Sequence, residues 1–316
     1  MNNDVTLGVD LGGTNLRAAV VDVAGNICGE HREHVEDRSP AAVADAVAAA
    51  AFAVLRKCQV EANGISVGIG VAGMIRKGTG FVVNGPNLGW RDVPFDTLLA
   101  ARLPGARIVV HNDLSVAVWG EYAAGAGRGI DDLAMVLCGS GIGCGLVLGG
   151  RLFRGAAGVG SELGHVKMVP DGELCGCGER GCLEAYAGGH NLARRAREAI
   201  VAGTRSALAQ MAGGVQHITA ETVAFGVRAG DPLSLRIVDE AGAYLGKSLG
   251  NLVTLLNPAR LVLGGSVYIG IPRLADSARA GMLRFAGSAA RASLTVMSPE
   301  LGDDAGVIGA ALLARM

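Results

Sequence analysis

The residues best suited to chemistry fall in short, separate runs. His165, Cys175, Cys177 and Cys182 make a Cys₃His set of the kind used for structural zinc. All four ligands are protein groups, so the site they imply is closed and structural. The Cys175–Cys177 spacing is tighter than the usual C-x₂-C, and reduced thiols in a glycine loop are the alternative. Glu162 and Glu184 flank this run. Ionised carboxylates accept hydrogen bonds only and suit sugar hydroxyls, although each also reads singly as a solvated surface Glu. Asn112-Asp113 follows an apolar strand ending at His111. A carboxylate there can be the general base on a hydroxyl with the Asn holding a neighbouring one, or the pair can simply cap the next helix. Gly12-Gly13-Thr14-Asn15, with Asp10 before it and Arg17 after it, can bring backbone N–H groups and side-chain donors to a phosphate. An ordinary hairpin turn is the alternative. Gly139-Ser140-Gly141 is a second turn of this kind. Neither turn is GxxxxGK[ST], and neither is a GxGxxG opening a helix. Gly264-Gly265 ends a further strand, where a flat adenine can lie against backbone or the chain can merely turn.

The elements that must position these residues are legible from period and punctuation. Strands are expected over Val5–Asp10, Leu16–Val21, Ile65–Ala72, Ile108–His111, 133–138, 144–148 and Leu261–Leu263. Helices are expected over Pro40–Lys57 with Ser39 as cap, Phe95–Arg102, Ser115–Tyr122, Asn191–Ala202, Thr219–Ala229, Pro232–Leu255 and Ala305–Ala314. Met74–Asp92 reads as loop, and Gly125–Gly129 as a hinge. Leu133–Gly150 is long and uncharged, but its six glycines argue for two buried strands around a turn, not a membrane span. LGVDLGGTNLRAAVVD (Leu7–Asp22) aligns without a gap on AMVLCGSGIGCGLVLG (Ala134–Gly149). Both read strand, glycine turn, strand, which points to a duplicated unit. Strands alternating with helices give an α/β class.

Composition bounds the rest. The 316 residues suit two domains, and 50% hydrophobic against 18% charged residues supports a large core. Fifty glycines signal tight turns and close backbone approaches. The net charge of -1 argues against a nucleic-acid partner. The N-terminus lacks the pattern of a signal peptide, and seven cysteines, an odd number, suit a reducing cytoplasm.

Taken in order, DLGGTN, HND followed by Gly120-Glu121, ELGH, CGCGERGCLEAY and NPARLVLGGSV resemble the ROK family of bacterial sugar kinases and repressors across essentially the whole chain. PNLGW, Pro86–Trp90, is most similar to the ATP-dependent glucokinases of that family. The resemblance implies two RNase H-like domains of the actin and hexokinase type with an active-site cleft between them. The first is expected over 1–114, with a C-terminal helix about 303–316 packing back onto it. The second is expected over 115–302, with the zinc knuckle at 165–182. The resemblance further implies transfer of phosphate from ATP with Mg²⁺ to a hexose hydroxyl, most simply glucose to glucose 6-phosphate. Asp113 is then the catalytic base. Asn87, Asn112, Asp113, Glu162, His165 and Glu184 bind the sugar, and His165 also ligates Zn²⁺ with Cys175, Cys177 and Cys182. Asp10, Gly12, Gly13, Thr14, Asn15, Arg17, Gly139, Ser140, Gly141, Gly264 and Gly265 serve the nucleotide, Asp10 through Mg²⁺. The nucleotide turns are expected to lie apart from the knuckle. A cytoplasmic homodimer with no nucleic-acid or membrane partner completes the expectation.

Two departures stand out: Ser140 where Thr is commoner, and Ser266 where a third glycine is frequent. The alternatives are a kinase for mannose, N-acetylglucosamine, N-acetylmannosamine, allose or fructose, and a non-catalytic sugar-sensing regulator. Such repressors carry an N-terminal helix-turn-helix, whereas the phosphate strand here begins at Val5, and Asp113 is present.

Overall fold

Small residues set how closely the first layers pack. The computed structural model describes residues 4–316, so residues 1–3 of the expected first domain lie outside the described residues. The first strands are Val5–Leu11 (β1), Asn15–Asp22 (β2), Ile27–His34 (β3), Ser66–Val71 (β4), Met74–Ile75 (β5), Phe81–Gly85 (β6), Trp90–Pro94 (β7) and Arg107–Asn112 (β8). Five of them form a sheet in the order β3-β2-β1-β4-β8, with β1, β4 and β8 parallel. Buried on both faces, β1 and β4 are near-continuous apolar runs. Gly8 of β1 sits opposite Gly68 of β4 in register. A Cβ on Gly8 would overlap the carbonyl of Val307, and one on Gly68 that of Ala310. The helix Ala305–Leu313 therefore rests its backbone directly on the strands. The helix Asp113–Ala124 packs equally closely beside it, because a Cβ on Gly120 would strike the Ala305 carbonyl and one on Gly309 the Val116 carbonyl.

On the sheet's other face lies Pro40–Lys57. Ser39 caps it, its hydroxyl accepting from Ala42 N at 3.4 Å, and Pro40 takes the first helical position. The stretch Met74–Asp92, expected as loop, instead folds largely into the three-stranded sheet β5-β6-β7. Its strands have two to five residues, too short for a period of two to declare itself.

The remaining strands are Leu133–Cys138 (β9), Ile142–Leu148 (β10), Arg151–Phe153 (β11), Arg260–Gly264 (β12) and Thr295–Met297 (β13). Their order, β11-β10-β9-β12-β13, repeats that of the first sheet, with β9 in the place of β1 and β10 in the place of β2. The sequence repeat is thus a repeat of topology. Asp231 caps the long helix Pro232–Leu256, which ends at Asn257 in the left-handed conformation just before Pro258. This helix packs on a second one, Pro272–Phe285, through Gly242, Gly246, Gly250 and Gly281.

The chain divides into two units that are discontinuous in sequence. One runs to Leu133 and adds Gly145–Ser161 and Pro299–Met316, and the other holds Ala134–Cys144 and Glu162–Ser298. The expected hinge at Gly125–Gly129 falls inside the first unit and is a pinned turn. Glu121, fully buried, accepts there from Ala126 N at 2.8 Å, and it also accepts from Glu300 N at 3.1 Å and Leu301 N at 2.9 Å. No helix among the described residues is long and apolar enough to cross a membrane.

The helix seat generates a stability prediction. Gly68→Ala forces backbone apart where no side chain can yield, so a loss of at least ~1–3 kcal/mol is expected. A fall in the midpoint of urea unfolding checks it, and an unchanged midpoint would show that the helix does not rest there.

Candidate active site

In the first unit, β1 delivers Asp10 at its C-terminal end and the chain turns back into β2. Gly12 N donates to Asn15 O at 2.9 Å, and Val35 N to Thr14 O at 2.8 Å, which closes the turn. A Cβ on Gly13 would press on Asn87, so the structure brings Asn87 against this turn. Asn15 is exposed, its Oδ1 3.4 Å from His34 Nδ1. Arg17 departs from the expected phosphate contact. Its guanidinium is buried, with Nε 2.8 Å from Glu30 Oε2 and Nη1 2.6 Å from Asp304 Oδ1 and 3.1 Å from Asp303 O. Its donors are spent on a strut between β2, β3 and the entry to the last helix, where its charge faces Asp10 across the register.

Asp113 opens the helix Asp113–Ala124 where β8 ends. Asn112 does cap that helix, its Oδ1 accepting from Ser115 N at 3.1 Å, while its Nδ2 donates to Gly73 O at 3.1 Å and to Asp113 Oδ1 at 2.8 Å. The same Asp113 oxygen accepts from Leu114 N at 2.9 Å. One carboxylate oxygen is thus held twice. Burial pushes Asp113 up to about 6, and the nearby Asp10 charge adds to this. Burial also pushes Asp10 up to about 6, against the pull of Arg17. Just before the pair, His111 is buried and accepts on Nδ1 from Arg154 Nη1 at 3.1 Å. Burial and that guanidinium push it down to about 4, so it is a neutral support for the strand end.

In the second unit, Gly139-Ser140-Gly141 turns between β9 and β10. Gly139 O accepts from Gly189 N at 2.9 Å and Ser140 O from His190 N at 3.0 Å, which ties the turn to the start of the helix Gly189–Val201. Gly265, with φ +97°, follows β12, and a Cβ there would overlap the Cys138 backbone. Ser266 beside it reaches the Gly139 turn. A pocket of about 740 Å³ opens here, lined by Ser140, His190, Arg197, Thr219, Glu221 and Ser266 over an apolar wall that includes Ile218, Val267 and Ile271. It lies beyond the carboxyl ends of β9 and β12, where ligands sit in α/β sheets. Its walls come mainly from the helices Gly189–Val201 and Ala220–Arg228, whose sequences read only as amphipathic, so Arg197, Thr219 and Glu221 carried no local signal.

The Cys₃His set does come together. The candidate ligand atoms of His165, Cys175, Cys177 and Cys182 all lie within 4.8 Å of one another. Cys177 and Cys182 Sγ are 3.8 Å apart, and Cys175 Sγ is 3.8 Å from His165 Nδ1. Tetrahedral zinc with bonds of ~2.3 Å to sulphur and ~2.0 Å to nitrogen requires edges of just under ~4 Å, so donor set and spacing both fit. Burial pushes the Cys175 thiol up to about 12, so its thiolate needs a cation beside it. Gly181, with φ +78°, allows the tight loop, since a Cβ there would overlap Val169 O. His165 presents Nδ1 to this cluster and Nε2 to Glu162, 3.9 Å from its Oε2. The expected separation of the knuckle from the nucleotide turn does not hold. Glu184 Oε2 accepts from Ile142 N at 2.8 Å, and its Oε1 lies 3.8 Å from Cys175 Sγ. Gly141 has no room for a Cβ against that carboxylate.

Two five-stranded sheets of one strand order, each opened by a glycine hairpin, define the α/β class of actin- and hexokinase-like proteins. The ROK family model matches residues 6–316, and the chain belongs to the ROK family. It is 36% identical over 315 residues to a glucokinase of Streptomyces coelicolor, covering 98% of each chain. It is 32% identical over 313 residues to an N-acetylmannosamine kinase of Citrobacter koseri, again covering 98% of each. A solved ROK family glucokinase from Streptomyces griseus, in complex with glucose and AMPPNP, superposes with a TM-score of 0.80 at 36% identity, covering 98% of this chain and 99% of that one.

The knuckle geometry predicts one zinc per chain, retained through a chelator wash and lost in Cys175→Ser. Elemental analysis decides it, and active protein free of metal would overturn the assignment.

Proposed function

We propose that the chain is an ATP-dependent hexose kinase whose preferred reaction is glucose to glucose 6-phosphate. The observation that carries this reading is Asp113, a buried carboxylate at a strand end with one oxygen held by backbone and Asn112. A non-catalytic sugar sensor has no use for such a base. The glucokinases among the relatives support glucose, and the N-acetylmannosamine kinases keep an N-acetylhexosamine as the second reading.

Phosphoryl transfer demands positioning and charge neutralisation more than covalent chemistry. In the first unit, Asp113 takes the proton of the attacking hydroxyl, and Asn112 and Asn87 hold neighbouring hydroxyls. The turn Gly12–Asn15 offers backbone donors to phosphate. Asp10 would hold Mg²⁺, which neutralises phosphate charge when bound. Arg17 is left out of the phosphate set, because Glu30 and Asp304 already take its donors. In the second unit, the Gly139–Gly141 turn meets phosphate, and the pocket beside Ser266 takes the adenosine, Gly264 and Gly265 letting it approach backbone. Glu162 and Glu184 accept from sugar hydroxyls, and His165, its Nδ1 turned to the cysteines, donates from Nε2, an orientation that zinc would fix. The reading carries a cytoplasmic homodimer, as the family resemblance implies.

A coupled ADP-release assay across glucose, mannose, fructose, allose and the N-acetylhexosamines tests it. Glucose is expected to give the highest kcat/KM, and Asp113→Asn to lower kcat by ~10²–10⁴-fold with sugar affinity nearly kept. Preference for an N-acetylhexosamine would install the second reading, and full turnover by Asp113→Asn would move the base elsewhere.

The raised carboxylates predict an acid limb. A base must be ionised to work, and Asp113 stays protonated until pH rises to about 6. The kcat/KM for the sugar should therefore be full above that pH and fall tenfold per unit below it. A profile flat down to pH 5 would contradict the buried, protonated resting state.

A further inference from the structure

The motif reading assigns no work to Lys167, two residues beyond a zinc ligand. Its ammonium donates to Cys182 Sγ at 3.0 Å. It also lies 3.7 Å from Glu179 Oε2, so the sulphur is its nearer partner. The placement is built into the backbone, because Lys167 and Cys182 form an isolated antiparallel bridge. Cys182 itself is fully buried, so its sulphur has few other sources of charge compensation. Three thiolates and a neutral imidazole around a divalent zinc leave one net negative charge.

We propose that Lys167 is the positioning counter-ion of the zinc knuckle. It cancels that remaining charge and donates to the most deeply buried of the ligand cysteines, Cys182. The inference rests on the zinc reading above and deepens it. An ammonium suits the task, being a compact point charge on a flexible stem. Such outer partners orient the ligands and typically change metal affinity by ~10–100-fold when removed. Because the bond goes to the ligand sulphur, the effect belongs to zinc retention. The sugar and nucleotide groups do not touch Lys167.

The experiment compares zinc release from the purified, zinc-loaded wild type, Lys167→Met and Lys167→Arg. An excess of 4-(2-pyridylazo)resorcinol serves as competitor and reporter. Methionine keeps the apolar stem without the charge, so a purely packing role predicts no change. Release from Lys167→Met is expected to be ~10–100-fold faster, with Lys167→Arg close to wild type. Equal rates for wild type and Lys167→Met overturn the inference while leaving the zinc site intact, as does Lys167→Arg behaving like Lys167→Met. Wild-type protein that purifies without zinc overturns both.

Discussion

The close approach of the helix Ala305–Leu313 to the first sheet is the constraint on which the first unit depends. The helix can reach β1 and β4 only because Gly8 and Gly68 sit side by side in register, and it meets the helix Asp113–Ala124 only because Gly120 and Gly309 do the same. That single seat fixes two functional ends at once. Asp10 is carried by β1, with its carboxylate against Gly306 at the start of the seated helix. Asp113 begins the helix packed beside it. Arg17 then locks the arrangement, since its ion pairs run to Glu30 on one side and to Asp304 at the helix entry on the other. Burial disfavours the charged form of Asp10 and Asp113, by more than the Arg17 charge offsets at Asp10, and both hold their protons to about pH 6. Dense packing elsewhere in the unit tolerates that cost, as is usual where a site is held ready for a ligand.

Duplication explains why the glycine turns occur twice. Each five-stranded sheet starts with a hairpin closed by a glycine turn, and the strand order is the same in both. The elements packed around the two turns differ. The first unit adds the small sheet β5-β6-β7, which brings Asn87 to its glycine turn. The second adds the helices that wall the pocket beside Ser140 and Ser266. One ancestral arrangement thus serves two ends of the proposed reaction by changing what packs against the turn.

Much of this was legible in the residues. β1, β2, β4, β8, β9, β10 and β12 are runs of apolar residues between unmistakable turns. Ser39-Pro40 marks a helix start by capping chemistry that acts within four residues, and Pro232 marks another by standing at the first helical position. The Cys₃His set was legible because ligand type alone narrows the metal. The structure added what depends on distant neighbours. β3, with alternating charges at a sheet edge, and the short strands β5 to β7 owe their form to pairing, not to local preference. Arg17 looked like a phosphate ligand because Glu30 and Asp304 lie 13 and 287 residues away in sequence. Gly125–Gly129 looked like a hinge because nothing local announces that a buried Glu121 will pin it.

Glu184 carries the largest consequence of such distant pairing. One of its oxygens holds the backbone of the second glycine turn at Ile142, and the other lies beside the ligand sulphur of Cys175. Its own backbone carbonyl accepts from Asn191 Nδ2 at 2.9 Å and Gly188 N at 2.9 Å, which fastens it to the helix bordering the pocket. A rigid knuckle therefore does more than orient His165. By fixing Cys175 and the short helix Leu183–Ala187 that comes after Cys182, it fixes the carboxylate that keeps Gly141 and Ile142 in place. Loosening the metal site would displace the expected sugar carboxylates and the expected phosphate turn through one shared side chain. A structural metal held by this cluster would thus have a reason to stand in an enzyme without taking part in its chemistry. The four ligands set the position of a single glutamate, and that glutamate is common to the groups proposed to bind both substrates.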